Sequence, residues 1–318
     1  MPALFLTDAD VADLIDMESA IEVIEEAFRR LAEGEAENVP RARVRAPGIM
    51  LHTMSGGAEY LGRMGFKAYT TTAGGARFHV AVYDAASGEL AGFLEADVLG
   101  QLRTGAASGV AAEYMARPDA TVVGVFGAGR QARAQLKAVC TVRRIERAYV
   151  FSRSGERSAV FCEEMTELCA TEVVPVPTPD LAAAEKDIVI TATTSKEPVF
   201  DGRWLDEGTH LNVIGSNFLS KTEIDVTTVK RANHIVCDSI AQCRLEAGDF
   251  VAALEEGATD WRLMHELADV VSGRQTGRAT PDDITLFKSV GLAIEDVALA
   301  AHVLDRAREE GLGQALPF

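Results

Sequence analysis

The hydrophobic pattern of the chain changes period twice in its first third. Between Asp16 and Leu31, the apolar residues Ile21, Ile24, Phe28 and Leu31 recur at helical spacing, and Gly34 is placed to stop that helix. From Arg41 to about Ala96 the pattern shortens into β-rich runs at 49–54, 65–71, 78–83 and 90–95, divided by glycine-rich turns. Asp84-Ala-Ala-Ser-Gly-Glu89 reads as a hairpin connection. A helix rich in Ala, Gly and Ser follows from about Asp97 to Met115, and Arg117-Pro118-Asp119 then marks a boundary.

Beyond that boundary, apolar runs and helical patterns alternate. Strands are predicted at 121–126, 147–152, 172–176, 186–192, 210–214 and 233–237, with helices at 130–140 and 156–169. Strands that are apolar throughout are buried on both faces, so the pattern predicts an α/β fold with a doubly wound parallel sheet. A last helix is expected from Thr285 to Arg308, with no strand after it, free to close back onto the N-terminal part. The chain therefore divides into a Rossmann domain, 117–290, and a discontinuous α+β domain, 1–116 with 291–318.

Composition narrows the classes of function. With 318 residues and 47 % hydrophobic content there is material for two cores. A formal charge of −17 opposes binding to nucleic acid or an anionic membrane. No apolar run is long enough to span a bilayer and the N-terminus lacks a signal-peptide layout, so a cytoplasmic protein is expected. The five cysteines form no CxxC pair, which argues against a disulfide framework and against a metal site.

The richest stretch in chemistry is the strand at 121–126 running through Gly127-Ala128-Gly129-Arg130-Gln131-Ala132 into a helix. Gly127 permits a tight turn, Gly129 lets backbone N–H groups approach a pyrophosphate, and Ala132 allows close helix–strand packing. The phosphates would sit on the helix N-terminus. At the end of the next strand, where a carboxylate would hold the ribose hydroxyls of NAD, the chain reads Ser152-Arg153-Ser154-Gly-Glu-Arg157. Hydrogen-bond donors there favour a 2′-phosphate and thus NADP(H) over NAD(H). The alternative is that these arginines are solvated and NAD(H) binds through serine and backbone. Thr191-Ala192-Thr193-Thr194-Ser195, at the end of a later strand, is expected on the same edge of the sheet, beside the nicotinamide ribose.

Several further segments give the chain a resemblance to the ornithine cyclodeaminase and mu-crystallin family, which includes archaeal-type alanine dehydrogenases and ketimine reductases. They are Pro40-Arg41 with Met54, Gly65-Phe66-Lys67, Leu102-Arg103-Thr104-Gly105, Gly127-Ala128-Gly129, Ile214-Gly215-Ser216, and Leu286 to Gly291 with Glu295-Asp296. The resemblance covers nearly the whole chain. It implies substrate contacts at Arg41, Lys67 and Arg103, cofactor contacts that include Thr104 and 214–216, and a homodimer built through the β-rich N-terminal domain.

The residues support the same roles on physical grounds. Arg103 lies among small helical residues and Lys67 inside a strand, so both need a buried anion, which an α-carboxylate would supply. The bland alternative is an ion pair with Glu95 or Asp97. His79 is a further candidate for the substrate pocket. Where ornithine cyclodeaminases carry an aspartate, this chain has Asn217, a neutral amide that cannot serve as a base. The expectation is an NAD(P)-dependent oxidoreductase acting on the C–N bond of a small 2-imino or 2-amino acid. Lys67 would bind the carboxylate or donate a proton, and Asn217 would orient the nitrogen or the nicotinamide carboxamide. A cyclodeaminase-type lyase using bound NAD, and an NADPH-dependent binding protein of the mu-crystallin kind, are the alternatives.

Overall fold

A computed structural model of the chain describes residues 2–317. Two compact units divide it: Met1–Thr104 with Gly291–Phe318, and Gly105–Val290. In the first unit, β1 (Leu4–Leu6) and α1 (Asp8–Leu14) lead into α2 (Met17–Glu33). Asp16 caps α2 by accepting from Ser19 N at 2.9 Å, and Gly34, at φ +81°, ends it. Ile21, Ile24 and Phe28 form its buried face. Strands β2 (Ala36–Ala46), β3 (Ile49–Ala58), β4 (Arg63–Thr72), β5 (Gly75–Asp84) and β6 (Leu90–Glu95) pair antiparallel in succession. Helix α3 (Asp97–Met115) follows, and the division between the units falls within it.

The second unit alternates strand and helix: β7 (Val122–Phe126), α4 (Arg130–Val142), β8 (Arg147–Phe151), α5 (Gly155–Cys169), β9 (Glu172–Pro175), α6 (Asp180–Ala183), β10 (Ile188–Thr191) and β11 (His210–Val213). It continues through α7 (Val226–Arg231), β12 (His234–Cys237), α8 (Ile240–Glu246), α9 (Val251–Glu255), β13 (His265–Glu266), α10 (Leu267–Val271) and β14 (Thr285–Lys288). The strands form one parallel sheet in the order β13-β12-β14-β11-β10-β7-β8-β9. Strand order therefore reverses between β7 and β10, and ligands of open α/β sheets bind outside the carboxyl ends at such a switch point. This is the predicted Rossmann-like arrangement.

The chain then returns to the first unit as α11 (Ala293–Glu310) and β15 (Gln314–Ala315), the latter pairing with β1. Two expectations are corrected here. Thr285–Lys288 is a strand and not the start of a helix, because all four residues are buried and paired on both sides, with β11 and β12. A short strand also follows the last helix. Helix α11 packs on β2 to β5, and the whole run from Ala293 to Ala301 is buried. The opposite face of that sheet leaves Val44, Ile49, Leu51, Met64 and Phe66 exposed.

Candidate functional site

In the second unit the glycine-rich turn is fixed by its surroundings. Gly127 has φ +109°, and a Cβ there would come within 2.6 Å of Ala192 O, so no other residue fits without movement. Its N–H donates to Phe151 O at 2.9 Å, joining the ends of β7 and β8. Gly129 is the N-cap of α4 without a side-chain cap, and a Cβ on it would meet nothing within 4 Å. Open space over an uncapped helix N-terminus suits a phosphate. Ala132 is fully buried in the core beneath.

A cavity of about 460 Å³ opens there, lined by residues 126–129, 151–153, 157, 192–195 and 197–199. That size is in the range of ligand sites. The structure thus brings Gly127, Ala128, Gly129, Ser152, Arg153, Arg157, Ala192 and Thr193 around one space. The guanidinium groups of Arg153 and Arg157 make no hydrogen bond or ion pair with the described residues. Ser154 instead caps α5, accepting from Arg157 N at 3.4 Å. Arg130 and Gln131 begin α4 without lining the cavity, and Ile214, Gly215 and Ser216 follow β11, also outside the lining. Asn217 comes next and is half-buried. Thr194 and Ser195, which continue the predicted polar segment after β10, also line the cavity, and residues 197–199 extend the predicted set.

In the first unit, a second cluster is buried on the α11 side of the sheet. Lys67 of β4 is 2 % exposed, and its Nζ donates to Asp296 Oδ1 at 2.8 Å. Arg103 of α3 donates from Nε to the same oxygen at 3.1 Å and from Nη1 to Glu295 Oε2 at 2.6 Å. Arg41 of β2 donates to Gly291 O at 3.1 Å and lies 3.3 Å from Met54 Sδ. Glu295 and Asp296 occupy the first turn of α11, where the helix dipole favours negative charge. Three basic side chains and two acidic ones, all buried, thus share this side of the sheet.

Burial pushes the Lys67 ammonium down to about 8; Asp296 pulls it back up, while Arg103 and Arg41 press it lower. Its anionic partner is thus Asp296, and that of Arg103 is the Glu295–Asp296 pair; neither is Glu95 or Asp97. Glu95 Oε2 accepts from Asp8 N at 3.0 Å. Thr104 is buried on α3, with its hydroxyl donating to Gly100 O at 2.7 Å.

His79 is not brought to this cluster. In the β4–β5 register, Val80 faces Lys67, so His79 points to the other face, where it stacks on Phe93 at 5.3 Å. The histidine on the cluster's face is His52, paired opposite Tyr69 and stacked on it at 4.1 Å. Burial first, then Arg43 and Arg41, depress His52 to about 4, so it is neutral. Strand parity from Lys67 and Met54 was the signal that would have selected it.

Residues 1–311 match the Ornithine cyclodeaminase/mu-crystallin family. The alanine dehydrogenase of Archaeoglobus fulgidus is 33 % identical over 330 residues, covering 100 % of this chain and 99 % of that protein. The structure of Thermococcus litoralis Delta(1)-pyrroline-2-carboxylate reductase in complex with NADH and L-proline aligns with a TM-score of 0.94 at 35 % identity, over 98 % of this chain and 100 % of that one. An archaeal alanine dehydrogenase dimer with bound NAD aligns with a TM-score of 0.94 at 31 % identity, over 100 % of both chains. The chain belongs to the ornithine cyclodeaminase/mu-crystallin family.

Proposed function

We propose that this protein is an NAD(P)-dependent oxidoreductase acting on the C–N bond of a small 2-imino or 2-amino acid. The observation that carries the reading is the buried cluster of Arg41, Lys67 and Arg103 against Glu295 and Asp296. Three buried cationic side chains converging in one cluster suit a substrate α-carboxylate, which accepts charge-assisted hydrogen bonds from arginine and lysine. When bound, the dinucleotide supplies the hydride that reduces the imino carbon. Arg103 and Arg41 bind the carboxylate, and Lys67 gives a proton to the nitrogen and regains one from solvent. Asn217 is a neutral amide, unsuited to act as the base of a cyclodeaminase.

The finer cofactor reading is NADP(H), supported by Ser152, Arg153 and Arg157, which line the cavity just after β8 where no carboxylate stands between Phe151 and Gly155; Glu197 is the carboxylate that lines it, from the segment after β10. The relatives above hold NADH and NAD, so both cofactors belong in the test. A homodimer formed through the apolar face of the β2–β4 sheet, in the cytoplasm, completes the reading.

The experiment is an absorbance screen of cyclic and open-chain 2-imino acids with NADH and with NADPH. Stoichiometric cofactor oxidation with one imino acid, fastest with NADPH, is expected. Conversion of ornithine to proline and ammonia without net cofactor change would overturn the oxidoreductase reading in favour of the lyase. Tight NADPH binding with no turnover of any imine would favour the binding-protein alternative.

A further inference from the structure

The loops that wall the dinucleotide cavity are tied together by a residue that lines none of it. Glu223 lies after β11 and is fully buried. Its Oε2 accepts from Thr191 Oγ1 at 2.9 Å and from Gly215 N at 2.6 Å. Its Oε1 accepts from Thr193 N at 2.6 Å and from Thr193 Oγ1 at 2.7 Å. One carboxylate thus receives four donors from the carboxyl ends of β10 and β11, and Thr193 itself faces the cavity. Packing leaves little slack: a Cβ at Gly215 would sit 2.2 Å from Thr193 O and 2.5 Å from Glu223 Oε1.

The brace is anchored from behind as well. Glu223 N donates to Asp249 Oδ1 at 2.6 Å, and Asp249 Oδ2 lies 2.8 Å from Lys288 Nζ at the end of β14. Lys288 in turn donates to Ser216 O at 2.8 Å. Burial and the neighbouring Asp249 raise the Glu223 carboxyl above the usual range, opposed by Lys288 and the Thr193 donors. Only an acceptor on both oxygens satisfies four donors at once; an amide would turn an NH₂ group toward N–H or O–H.

We propose that Glu223 is a positioning residue for the dinucleotide, holding the segments around Thr193 and Gly215 in the spacing that the cofactor requires. It acts through those segments without touching the cofactor, and the inference rests on the dinucleotide reading above. No other acidic side chain in the second unit bridges these two strand ends among the described residues.

The test is a fluorescence titration of the full-length protein with NADH and NADPH, well below its melting transition, for wild type, Glu223→Gln and Thr191→Val. Thr191 does not line the cavity, and its valine variant removes one of the four bonds while keeping the side chain's shape. Glu223→Gln is expected to raise the Kd of the tighter cofactor about tenfold or more, and Thr191→Val about threefold with little change in Tm. A role confined to folding would lower Tm and leave the Kd of the folded protein unchanged, and that result in both variants overturns the inference. Should Glu223→Gln fail to fold, Thr191→Val decides on the same criterion. A wild type that binds neither cofactor overturns the functional reading itself.

Discussion

In the proposed reaction Lys67 is the proton donor, and its environment sets a measurable pH. Its ammonium, held down to about 8 by burial, is charged at neutral pH and lost well before the 10.5 of an exposed lysine. As proton donor for imine reduction it must be charged, so kcat/KM is expected to fall above pH of about 8, tenfold per unit. Asp296→Asn removes the charge that raises this value and shifts the falling limb to lower pH; a limb that stays in place would refute Lys67 as the donor. The sign for stability is the reverse: the unfolded chain binds the extra proton between about 8 and 10.5, so the cost of burying Lys67 lessens as pH rises through that window. Arg103 neutralises Glu295 and Asp296, and in the proposed reaction it also binds the substrate carboxylate. Arg103→Ala is therefore expected to lose about 2 to 4 kcal/mol of transition-state binding and, by stranding buried carboxylates, about 3 to 5 kcal/mol of stability. Activity assays and denaturant melts separate the two, and a variant with normal activity would reduce Arg103 to a structural ion pair. Sequence reading alone foresees only the first loss, because the pairing partners lie 192 and 193 positions away along the chain.

At the scale of elements, β11 and β14 are joined by side chains as well as backbone. His210 and Thr285 are register partners, and their side chains hydrogen-bond at 2.8 Å, while the other ring nitrogen lies 3.1 Å from Asn212 Oδ1. Complete burial first, then Arg278, lowers His210 from 6.5 to about 3, so the ring is neutral in the folded protein. Between those values the unfolded chain binds more protons, so the stability contributed by neutral His210 is full above pH 6.5 and is lost as pH falls toward about 3. Chemical melts at a series of pH values are expected to show this slope. His210→Gln should cost about 1 to 3 kcal/mol at neutral pH and flatten the slope on acidification. The same pair of strands shows why β14 was misread. A run of four buried residues followed by a helical pattern has no period of its own, and only the neighbouring β11 and β12 make it a strand. Helix α2, by contrast, was legible because its apolar face, Asp16 cap and Gly34 stop are all local.

For the whole molecule, the sheet of the first unit has two unlike faces. One is covered by α11 and holds the charged cluster; the other exposes Val44, Ile49, Leu51, Met64 and Phe66 from three adjacent strands. Contiguous apolar surface of this kind marks an association site. The expected state in solution is a dimer, and Leu51→Asp combined with Phe66→Asp should yield a folded monomer by sedimentation. Dimers that survive both substitutions would place the contact elsewhere.

The sequence by itself determined the parts that local patterns encode: the glycine turn between β7 and α4, the alternation of a parallel sheet, and the arginines and lysine that need an anion. Its reading of the strand ends also placed Ser152, Arg153 and Arg157 beside the glycine turn, where they line one cavity with it, because strand ends of a doubly wound sheet share one edge by construction. Tertiary structure alone decided which charges meet. Lys67, Arg103, Glu295 and Asp296 are assembled from a strand and two helices far apart in the chain, and Glu223 reaches Thr191, Thr193 and Gly215 from a loop whose sequence has no period. Periodicity reports which face of an element is buried. The partner of a buried charge is set by distances between elements, and these exist only once the chain has packed.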